Sequence, residues 1–554
     1  MKKTITVLAV VVATLLTASL QSYACTNVIV TKGASKDGSV MVTYSADSHT
    51  LFGELYFRSA ADWKEGDMRD VVEWDSGKLL GQIPQPAHTY QRVGNMNEHQ
   101  LIFMETTFGG RPGLENKNAV MEYGSLIYIA LERCRTAREA IALVDELTRE
   151  YGYASEGESF SIADKDECWI MEIVGKGDEK GAVWVAVRIP DGYISGHANQ
   201  SRIHTFPLND PENCLYAPDV ISFARKKGFF SGKDKDFSFC DAYCPADFGG
   251  LRGCEARVWS AFRLLAGKGF DADRYLDFAM GYNTANKMPL YVKPDEKVSV
   301  DALAAVMRDH YEDTPMDFRE DVGAGLCRTP YRWRPMSFTL DGKTYEFERS
   351  IATQQTGFWY LAQARNWLPD EVGGLLWFGV DDAAMSPLTP IYTNIVTAPE
   401  CFREGNGSML EYSPTSAFWL VNRFAQFAYL YYDRVMPEVS ARIVEHEGLN
   451  QALVTATDAA ALKLLETGTR DGALALLTEF SASRSDAFFK KWTDLSNYLL
   501  VKFKDGNVMK QNPDGSFKDN GNYNAQPEYP DQPEFRERWQ RAIVEDHGEV
   551  IEVK

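Results

Sequence analysis

Several features that would define a protein class are scarce or missing in this chain of 554 residues. Its nine cysteines are too few for a disulfide-built scaffold, and a chain this long can be stabilised by its own hydrophobic core. Basic side chains are outnumbered, with 58 Lys and Arg against 78 Asp and Glu. The formal charge of −20 argues against general affinity for nucleic acid or anionic lipid. After residue 24, no apolar run is long enough to span a bilayer. The expected partner is therefore a small molecule.

Common catalytic motifs are missing too. The eight histidines are scattered, with no His-Glu-x-x-His pattern, and we find no serine nucleophile elbow, Walker loop or dinucleotide fingerprint. Cys240, Cys244 and Cys254 share one polar, Gly-rich segment, where a disulfide is expected in an oxidising compartment. Zinc is less favoured there, since no Cys-x-x-Cys or closely spaced His pair accompanies them.

The first 24 residues have the pattern of a secretory signal peptide. Lys2 and Lys3 supply a positive start, residues 5–20 are apolar, and Ser22-Tyr-Ala24 is a small-x-small cleavage site. We therefore expect export to the periplasm or the extracellular space. The whole chain, with 45% hydrophobic and 25% charged side chains, has the composition of a soluble globular protein.

Cleavage after Ala24 would make Cys25 the first residue of the mature protein, so that one residue carries a thiol and a free α-amine. A thiol becomes a good nucleophile when it loses its proton. An α-amine with a pKa of ~8 can take that proton and pass it to a leaving amine. The position predicts that Cys25 is a nucleophile. A lipid-anchored cysteine and a cysteine without function are the alternatives, and bulky Tyr23 fits a lipoprotein signal poorly.

The segment after Cys25 predicts a β-hairpin. Residues 26–31 and 40–44 are β-rich runs, and Lys36-Asp-Gly-Ser39 between them is a turn signal. A strand that begins at the cysteine would hold it in place better than a frayed terminus.

Five short motifs together fit one known family. They are Cys25-Thr-Asn-Val-Ile-Val-Thr-Lys-Gly-Ala-Ser-Lys-Asp-Gly-Ser39, Ala46-Asp-Ser-His49, Gly94-Asn-Met-Asn-Glu-His-Gln100, Glu105-Thr-Thr-Phe-Gly-Gly110 and Trp377-Phe-Gly-Val-Asp-Asp382. The chain resembles the dipeptidase A family of cysteine peptidases. These are N-terminal nucleophile hydrolases, related to secernins and more remotely to penicillin V acylases and bile salt hydrolases. The resemblance runs from Cys25 to roughly the end of the chain.

The resemblance implies an α+β fold, a four-layer αββα sandwich in which Cys25 lies on a strand facing a cleft. Strand-like runs occur at residues 100–108, 159–163, 168–174, 183–189 and 192–197. A helical pattern covers residues 126–133, and Thr136-Ala-Arg-Glu139 is a capping box that begins a helix through about Tyr151. We expect this catalytic domain to span residues 25–410.

The resemblance also implies roles for residues around the nucleophile. Asp47 aligns with a family aspartate that orients the α-amine, and a solvated loop carboxylate is its alternative. Three positions earlier the related acylases have an arginine that favours the thiolate, whereas this chain has Tyr44, which lacks a permanent positive charge. Tyr44 is expected to face the substrate. Arg257 falls where the acylases carry a second active-site arginine, and a surface salt bridge or a structural pair is its alternative.

Attack on an amide produces an oxyanion that needs hydrogen-bond donors sheltered from water. Asn199 follows a predicted strand and matches the acylase asparagine that donates to this oxygen. Turn chemistry is the alternative for it. Thr107 occupies the strand position of the other donor, a backbone N–H. His99 is expected to line the substrate cleft, although Asn-Glu before a strand is mostly typical of a turn.

The C-terminal part predicts helices followed by a tail. Residues 411–504 form a helix-rich region, expected to pack on the catalytic domain or on another subunit. Ser413-Pro414 predicts a helix start, and further helical patterns cover residues 437–447, 449–466 and 469–503. Residues 505–554 predict a small hairpin, with turn signals at Asp505-Gly506 and Asp514-Gly515, and an extended polar tail.

These observations predict an exported cysteine hydrolase of small peptides, acting through a thioester on Cys25. The preference for dipeptides comes from the resemblance alone. The chemistry needs no metal and no organic cofactor, and the expected partner is a small peptide, with no nucleic acid and no membrane span. A homo-oligomer stays an open alternative. The functional alternatives are an amidase of non-peptide acyl amides, of the penicillin V or bile salt type, and an inactive secreted or lipid-anchored binding protein.

Overall fold

The computed structural model of the chain describes residues 25–524 and 526–554. The predicted signal peptide, residues 1–24, lies outside the described residues. Buried apolar side chains form one connected cluster that runs from Cys25 to Phe503.

The hairpin predicted after Cys25 is present, at the centre of a seven-stranded antiparallel sheet. Its β-branched residues are buried on both faces, which explains why the hairpin reads as two short apolar runs. In spatial order the strands are β16 (Tyr291–Val292), β14 (Ile194–His197), β1 (Asn27–Val30), β2 (Val40–Asp47), β19 (Thr356–Ala364), β20 (Gly374–Val380) and β21 (Thr389–Tyr392).

A second sheet has eight antiparallel strands. In spatial order they are β15 (Cys214–Tyr216), β13 (Glu179–Ile189), β12 (Cys168–Lys176), β11 (Gly157–Ala163), β10 (Ile102–Gly109), β9 (Met96–Asn97), β8 (Arg92–Val93) and β3 (Phe57–Arg58). The five strands predicted between residues 100 and 197 are confirmed as β10 to β14. Three small hairpins pair β4 (Ala61–Asp62) with β7 (His88–Thr89), β5 (Met68–Val72) with β6 (Leu79–Pro84), and β17 (Ser337–Leu340) with β18 (Lys343–Glu346).

Twelve α-helices lie within the described residues. They are α1 (Tyr123–Arg133), α2 (Ala137–Tyr151), α3 (Val220–Lys226), α4 (Phe239–Tyr243), α5 (Ala256–Leu265), α6 (Leu276–Ala279), α7 (Val300–Val306), α8 (Asp370–Gly373), α9 (Ala417–Leu430), α10 (Tyr432–Glu466), α11 (Arg470–Lys502) and α12 (Glu537–Ile551). The predicted capping box at Thr136 is confirmed, because Thr136 and Glu139 each accept a hydrogen bond from the other's backbone N–H.

The two large sheets contact each other through β1 and β2 on one side and β10 and β11 on the other. Helices α1, α2 and α3 pack on the eight-stranded sheet. Helices α5, α9, α10 and α11 pack on the seven-stranded sheet. Cys25 and the end of β2 therefore lie where one sheet faces the other.

The C-terminal helices differ in detail from the prediction. Helix α9 begins at Ala417, capped by Ser416 rather than Ser413, since Ser416 accepts a hydrogen bond from the Trp419 N–H. Two predicted helices merge into α10, which continues through Pro437. The proline removes one intrahelical hydrogen bond, and the buried side chains of Val435 and Val439 on either side hold the helix together.

The last 50 residues also differ. The hairpin signal at Asp514-Gly515 is matched by a bridge between Gln511 and Phe517. Asp505-Gly506 instead forms a short 3₁₀ turn. The predicted extended tail contains helix α12, whose apolar side chains are partly exposed. No helix among the described residues has both the length and the apolar character needed to cross a membrane.

Candidate active site

Cys25 lies directly before β1 and lines a cavity of about 210 Å³. It is 6% exposed. The next residue, Thr26, exchanges two backbone hydrogen bonds with Ser45 on β2, with N···O distances of 3.3 and 3.1 Å. This bridge holds the start of β1 beside Tyr44. The pairing of β1 with β2 therefore fixes the position of the thiol, as the sequence predicted for a strand-borne cysteine.

The Cys25 sulfur contacts a phenol. The Cys25 thiol donates to the Tyr44 hydroxyl over 3.8 Å, and the hydroxyl donates to Oε1 of Glu105 over 2.5 Å. Burial raises the pKa of the Cys25 thiol well above its ordinary value, and the negative charges of Glu105 and Asp47 raise it further. The thiol is thus protonated at rest, and it needs a base or a nearby positive charge to become a nucleophile.

Glu105 is itself an unusual buried acid. Burial raises its pKa to about 7, while the hydrogen bond from Tyr44 lowers it. Its carboxyl group contacts that of Glu158, and burial and the charge of Glu105 raise the pKa of Glu158 well above the ordinary range. Two adjacent buried carboxyl groups cannot both ionise cheaply, so the pair holds one proton near neutral pH.

The predicted oxyanion residues come together on the other side of this pair. Thr107 is paired with Glu158 across β10 and β11, and its hydroxyl donates to Oε1 of Glu158 over 2.7 Å. The Asn199 side-chain amide donates to the Thr107 carbonyl over 2.6 Å. Because an amide nitrogen carries two N–H groups, a second donor is left for another acceptor. Asn199 has a positive φ of 60°, a conformation that asparagine tolerates better than most residues.

Arg257 connects this group back to the cysteine. One guanidinium nitrogen donates to the Cys25 carbonyl over 2.6 Å, and the other donates to Oδ1 of Asn199 over 2.9 Å. The arginine lies in the first turn of α5, directly after a π-helical turn at Gly250–Glu255, and its Nε donates to Gly253 in that turn. The contacts therefore place Arg257 at the cysteine backbone, and a surface ion pair does not describe it.

Seven side chains thus form a closed chain of contacts that we call the Cys25 ring. Its members, in order, are Cys25, Tyr44, Glu105, Glu158, Thr107, Asn199 and Arg257.

Asp47 lines the same cavity, at the end of β2. Its carboxylate accepts hydrogen bonds from Arg349 at 2.6 Å, Thr356 at 2.7 Å and Ser45 at 3.0 Å. It is 1% exposed, so a solvated loop carboxylate does not describe it. The Asp47 backbone N–H also donates to the Cys25 sulfur, which lowers the thiol pKa against the stronger effect of burial. Asp47 is thus rigidly held beside residue 25.

Comparison with known proteins agrees with this geometry. The model of Peptidase family C69 matches residues 24–445, so the match begins at the residue before Cys25 and includes the whole ring. The chain belongs to peptidase family C69.

Curated relatives of this C69 peptidase cover most of its length. It is 25% identical over 437 residues to a "probable dipeptidase" of Latilactobacillus sakei, covering 75% of this chain and 83% of the relative. It is 24% identical over 501 residues to a "probable dipeptidase B" of Lactococcus lactis subsp. lactis, covering 86% and 95%. A "probable dipeptidase" of Salmonella dublin is 23% identical over 393 residues, covering 67% and 81%.

One predicted site residue of the C69 peptidase lies elsewhere. His99 is not among the described residues that line the cavity of Cys25. Asn199 and Arg257 do not line that cavity either, but they contact it through the Cys25 ring. Its Nδ1 lies 3.3 Å from Asp370, and its ring packs edge-on against Tyr90 at 4.5 Å. The structure therefore places His99 in a partly buried contact with Asp370, consistent with the turn chemistry of its segment.

A second cavity, of about 270 Å³, is lined by Cys240 of the other cysteine cluster. Cys240, His204 and Asp241 bring their ligand atoms within 4.8 Å of one another, so they could hold a metal ion. The Lys287 ammonium lies beside them, 2.6 Å from Asp241 and 3.4 Å from His204 Nδ1. The expected disulfide is not formed among the described residues, because the Cys240 and Cys244 sulfurs each face a backbone carbonyl, of Cys244 and Phe108 respectively.

Several residues of the site were not predicted from the sequence. Glu105 and Glu158 were not singled out, although a carboxylate directly after a run of four apolar residues, as Glu105 is, is a usable signal for a functional group. Arg349 and Thr356, which hold Asp47, are some 300 residues away from it and carry no local pattern.

Proposed function

We propose that this C69 peptidase is an exported cysteine dipeptidase, in which removal of the signal peptide leaves Cys25 as an N-terminal nucleophile. The single observation that carries the proposal is the placement of Cys25: its sulfur faces a small cavity, and its carbonyl is held by Arg257 at 2.6 Å. The α-amine of that residue would then lie beside Asp47.

The proposed reaction has two stages. The Cys25 sulfur attacks the peptide carbonyl while its proton passes to the α-amine, and the tetrahedral oxyanion accepts hydrogen bonds from the Asn199 amide and the Thr107 backbone N–H. The C–N bond then breaks as the α-ammonium gives its proton to the leaving amine, which forms a thioester. Water attacks the thioester, and the thiolate leaves. In this scheme Asp47, held by Arg349, orients the amine and stabilises its protonated form.

The contacts between layers support an N-terminal nucleophile hydrolase fold. Helices, two facing antiparallel sheets and further helices follow one another, which is the order of an αββα sandwich. In the proposed fold the nucleophile begins a central strand of one sheet and faces the other sheet, as Cys25 does.

The dipeptide preference rests on two observations. The relatives named as probable dipeptidases cover most of this chain. The cavity of about 210 Å³ is smaller than the roughly 300 to 1,000 Å³ of drug-sized ligand sites. That volume suits a pair of small residues better than a steroid amide, which makes the bile salt amidase the weaker alternative.

The test uses the secreted protein. We expect its intact mass to correspond to a chain beginning at an unmodified Cys25, and we expect hydrolysis of at least one member of a dipeptide panel but not of conjugated bile acids or penicillin V. Rapid acid quenching during turnover should trap an acyl group on the peptide that contains residue 25. A diacylglycerol mass at residue 25, or turnover without an acylated cysteine, would contradict the proposal.

A control addresses the role of the amine. A variant with one alanine retained before Cys25 keeps the thiol but turns the α-amine into an amide. We expect it to lose most activity, about 100-fold or more, because an amide nitrogen cannot act as a general base. Unchanged activity would show that another group takes the proton.

A further inference from the structure

The charged side chains that line the cavity beside Cys25 are all acidic. Of its thirteen lining residues, Asp47, Asp75 and Glu105 are acidic, and none of the described lining residues is Lys, Arg or His. Asp47 is paired with Arg349 at 2.6 Å. Asp75 accepts a hydrogen bond from the Tyr123 phenol, and Glu105 accepts from the Tyr44 phenol and contacts Cys25 and Glu158, so neither carboxyl group has a cationic partner among the described residues. Apart from the α-amine that the proposed function gives to Cys25, no basic group of the described residues lines the cavity, so the cavity favours a positively charged ligand.

Glu105 supplies the buried part of this charge. The residue is 3% exposed and its Oε1 accepts the Tyr44 hydrogen bond. Its Oε2 has no hydrogen-bond donor among the described residues apart from the proton that it can share with Glu158. A buried carboxylate without a cationic partner is costly, and a cation that enters the cavity would offset that cost.

Asp75 and three aromatic rings form the outer part of the cavity. Asp75 lies on the exposed turn between β5 and β6, where its Oδ1 accepts from the Tyr123 hydroxyl over 3.1 Å. Tyr56 and Trp74 pack edge to face at 4.7 Å in the same wall. Aromatic faces attract ammonium groups, so this wall favours a cation over a neutral or anionic acyl group.

The distances fit one particular cation. In a peptide with a free N-terminus, the ammonium nitrogen lies about 2.5 Å from the first carbonyl carbon, as bond lengths and angles require. A sulfur poised to attack that carbon is about 3 to 3.5 Å from it. The ammonium group therefore lies within about 6 Å of the sulfur. Glu105 is within the combined length of the two contacts through Tyr44, at 3.8 and 2.5 Å.

We propose that Glu105, assisted by Asp75 at the cavity mouth, binds the free α-ammonium group of the substrate. This inference rests on the proposed function and deepens it, because it restricts the substrates to peptides cleaved directly after their N-terminal residue. It also suggests how the thiol is activated. The bound ammonium brings a positive charge near the sulfur, which favours the thiolate.

The first experiment needs no variant. The dipeptide that the mature enzyme hydrolyses fastest is compared with its N-acetyl derivative, which has the same scissile bond and no ammonium group. We expect kcat/KM to be about 100-fold or more higher for the free dipeptide, since the acetylated one leaves Glu105 without a cation. Equal kcat/KM values for the two substrates would overturn the inference.

Variants then test which acidic residues cause the preference for the free dipeptide. Glu105→Gln keeps the acceptor for Tyr44 but removes the charge, so we expect kcat/KM for the free dipeptide to fall about 100-fold and that for the acetylated one to change little. Asp75→Asn should cost about fivefold, mainly in KM, because it is exposed. Asp70→Asn removes a charge from the same hairpin outside the cavity and should change nothing. An equal loss on both substrates in Glu105→Gln would indicate a structural role and contradict the inference.

Binding separates this inference from the proposed mechanism. Calorimetry on a Cys25→Ala variant measures both peptides without hydrolysis, and we expect about 30-fold or more tighter binding of the free dipeptide. Such a difference together with full activity of Cys25→Ala would refute the nucleophile but keep the ammonium site. If Cys25→Ala is inactive and either binds the two peptides equally or binds neither, the nucleophile is kept and the ammonium site is refuted.

Discussion

Two cavities in this molecule each contain a buried cysteine, and they differ in how their charges are balanced. Around Cys240 the charges cancel: Arg202 pairs with Glu255 at 2.8 Å, Lys287 pairs with Asp241 at 2.6 Å, and burial followed by the charge of Lys287 lowers the pKa of His204 to about 4. Around Cys25, Glu105 and Asp75 have no cationic partner among the described residues. The charges that line the larger cavity are paired within the protein, whereas we propose that a bound ammonium group pairs with those of the smaller one.

The comparison teaches that the types of residue near a cysteine do not identify a nucleophile. Cys240 has a histidine and an aspartate beside it, the usual partners of a catalytic thiol, yet its thiol donates to a backbone carbonyl and its histidine is kept neutral. Cys25 has neither partner, and in the proposed mechanism its own amine replaces them.

Replacing each of the two cysteines with alanine should give the largest difference in activity between the two cavities. Cys25→Ala removes the nucleophile, so we expect kcat to fall about 10⁴-fold or more. Cys240→Ala should leave kcat within about twofold, because that thiol touches no reacting group. Steady-state kinetics on the best dipeptide measure both, and melting curves check the fold. A comparable loss in the two variants would mean that the second cavity takes part in the reaction.

Asn199 and Gln200 are neighbours in the chain, but their side-chain amides contact different sites. Substituting each of them therefore compares the two sites directly. Asn199 joins Arg257 to Thr107, whereas Gln200 lines the Cys240 cavity and donates to the Cys244 carbonyl over 2.8 Å. We expect Asn199→Ala to lower kcat about 10² to 10³-fold through loss of the oxyanion donor. Gln200→Ala should cost stability but little turnover. If KM alone rises in Asn199→Ala, the amide binds substrate and does not stabilise the oxyanion.

Tyr44→Phe tests the contact between the thiol and Glu105. Without the hydroxyl, the sulfur loses its hydrogen-bond partner and Glu105 loses a donor, so we expect a loss of about 10-fold in kcat and a shifted pH profile. Tyr360→Phe is the matched control. Its buried hydroxyl has no partner among the described residues and its ring packs on Tyr44 at 5.5 Å. Equal activity of the two variants would show that the phenol serves only packing.

The smallest effect is expected in the balanced cavity. Burial would raise the pKa of Asp241, but hydrogen bonds from Lys287 and Ser238 lower it below its ordinary value. A depressed carboxyl pKa stabilises the fold above about pH 4 and this stabilisation is lost as pH falls below it. Lys287→Gln should therefore lower the free energy of unfolding by less than about 1 kcal/mol at neutral pH, and not at all in acid. Urea unfolding at both pH values measures this, and a loss of activity would contradict it.

The elements with local patterns could be predicted from the sequence. The hairpin after Cys25 follows from two β-rich runs around a turn, and the start of α2 follows from its capping box. Two serines three residues apart could each cap α9, and the structure uses Ser416 rather than Ser413 because only its hydroxyl reaches the Trp419 N–H. Pro437 reads as a helix start, yet tertiary packing carries α10 through it.

The site divides in the same way. Cys25 could be predicted because cleavage after Ala24 would give it a free α-amine. Asp47, Thr107, Asn199 and Arg257 were predicted from motif resemblance. Glu105 and Glu158 carry no shared local pattern, and their contact exists because the register of β10 and β11 brings them together. His99 shows the opposite error, since a polar residue within a motif turned out to face Asp370.

The Cys25 ring spans both sheets: Cys25 and Tyr44 belong to one, and Glu105, Thr107 and Glu158 to the other. A slide of one sheet over the other by a fraction of an ångström would stretch the ring while leaving most of the interior packed. The rate of turnover should therefore be sensitive to small shifts at this interface between the two sheets. A conservative substitution on the inter-sheet face of β1, where Asn27 forms a hydrogen bond with Ser161 of the other sheet, should be detected in rate measurements before it is visible in a melting curve; Ile29→Val is such a change.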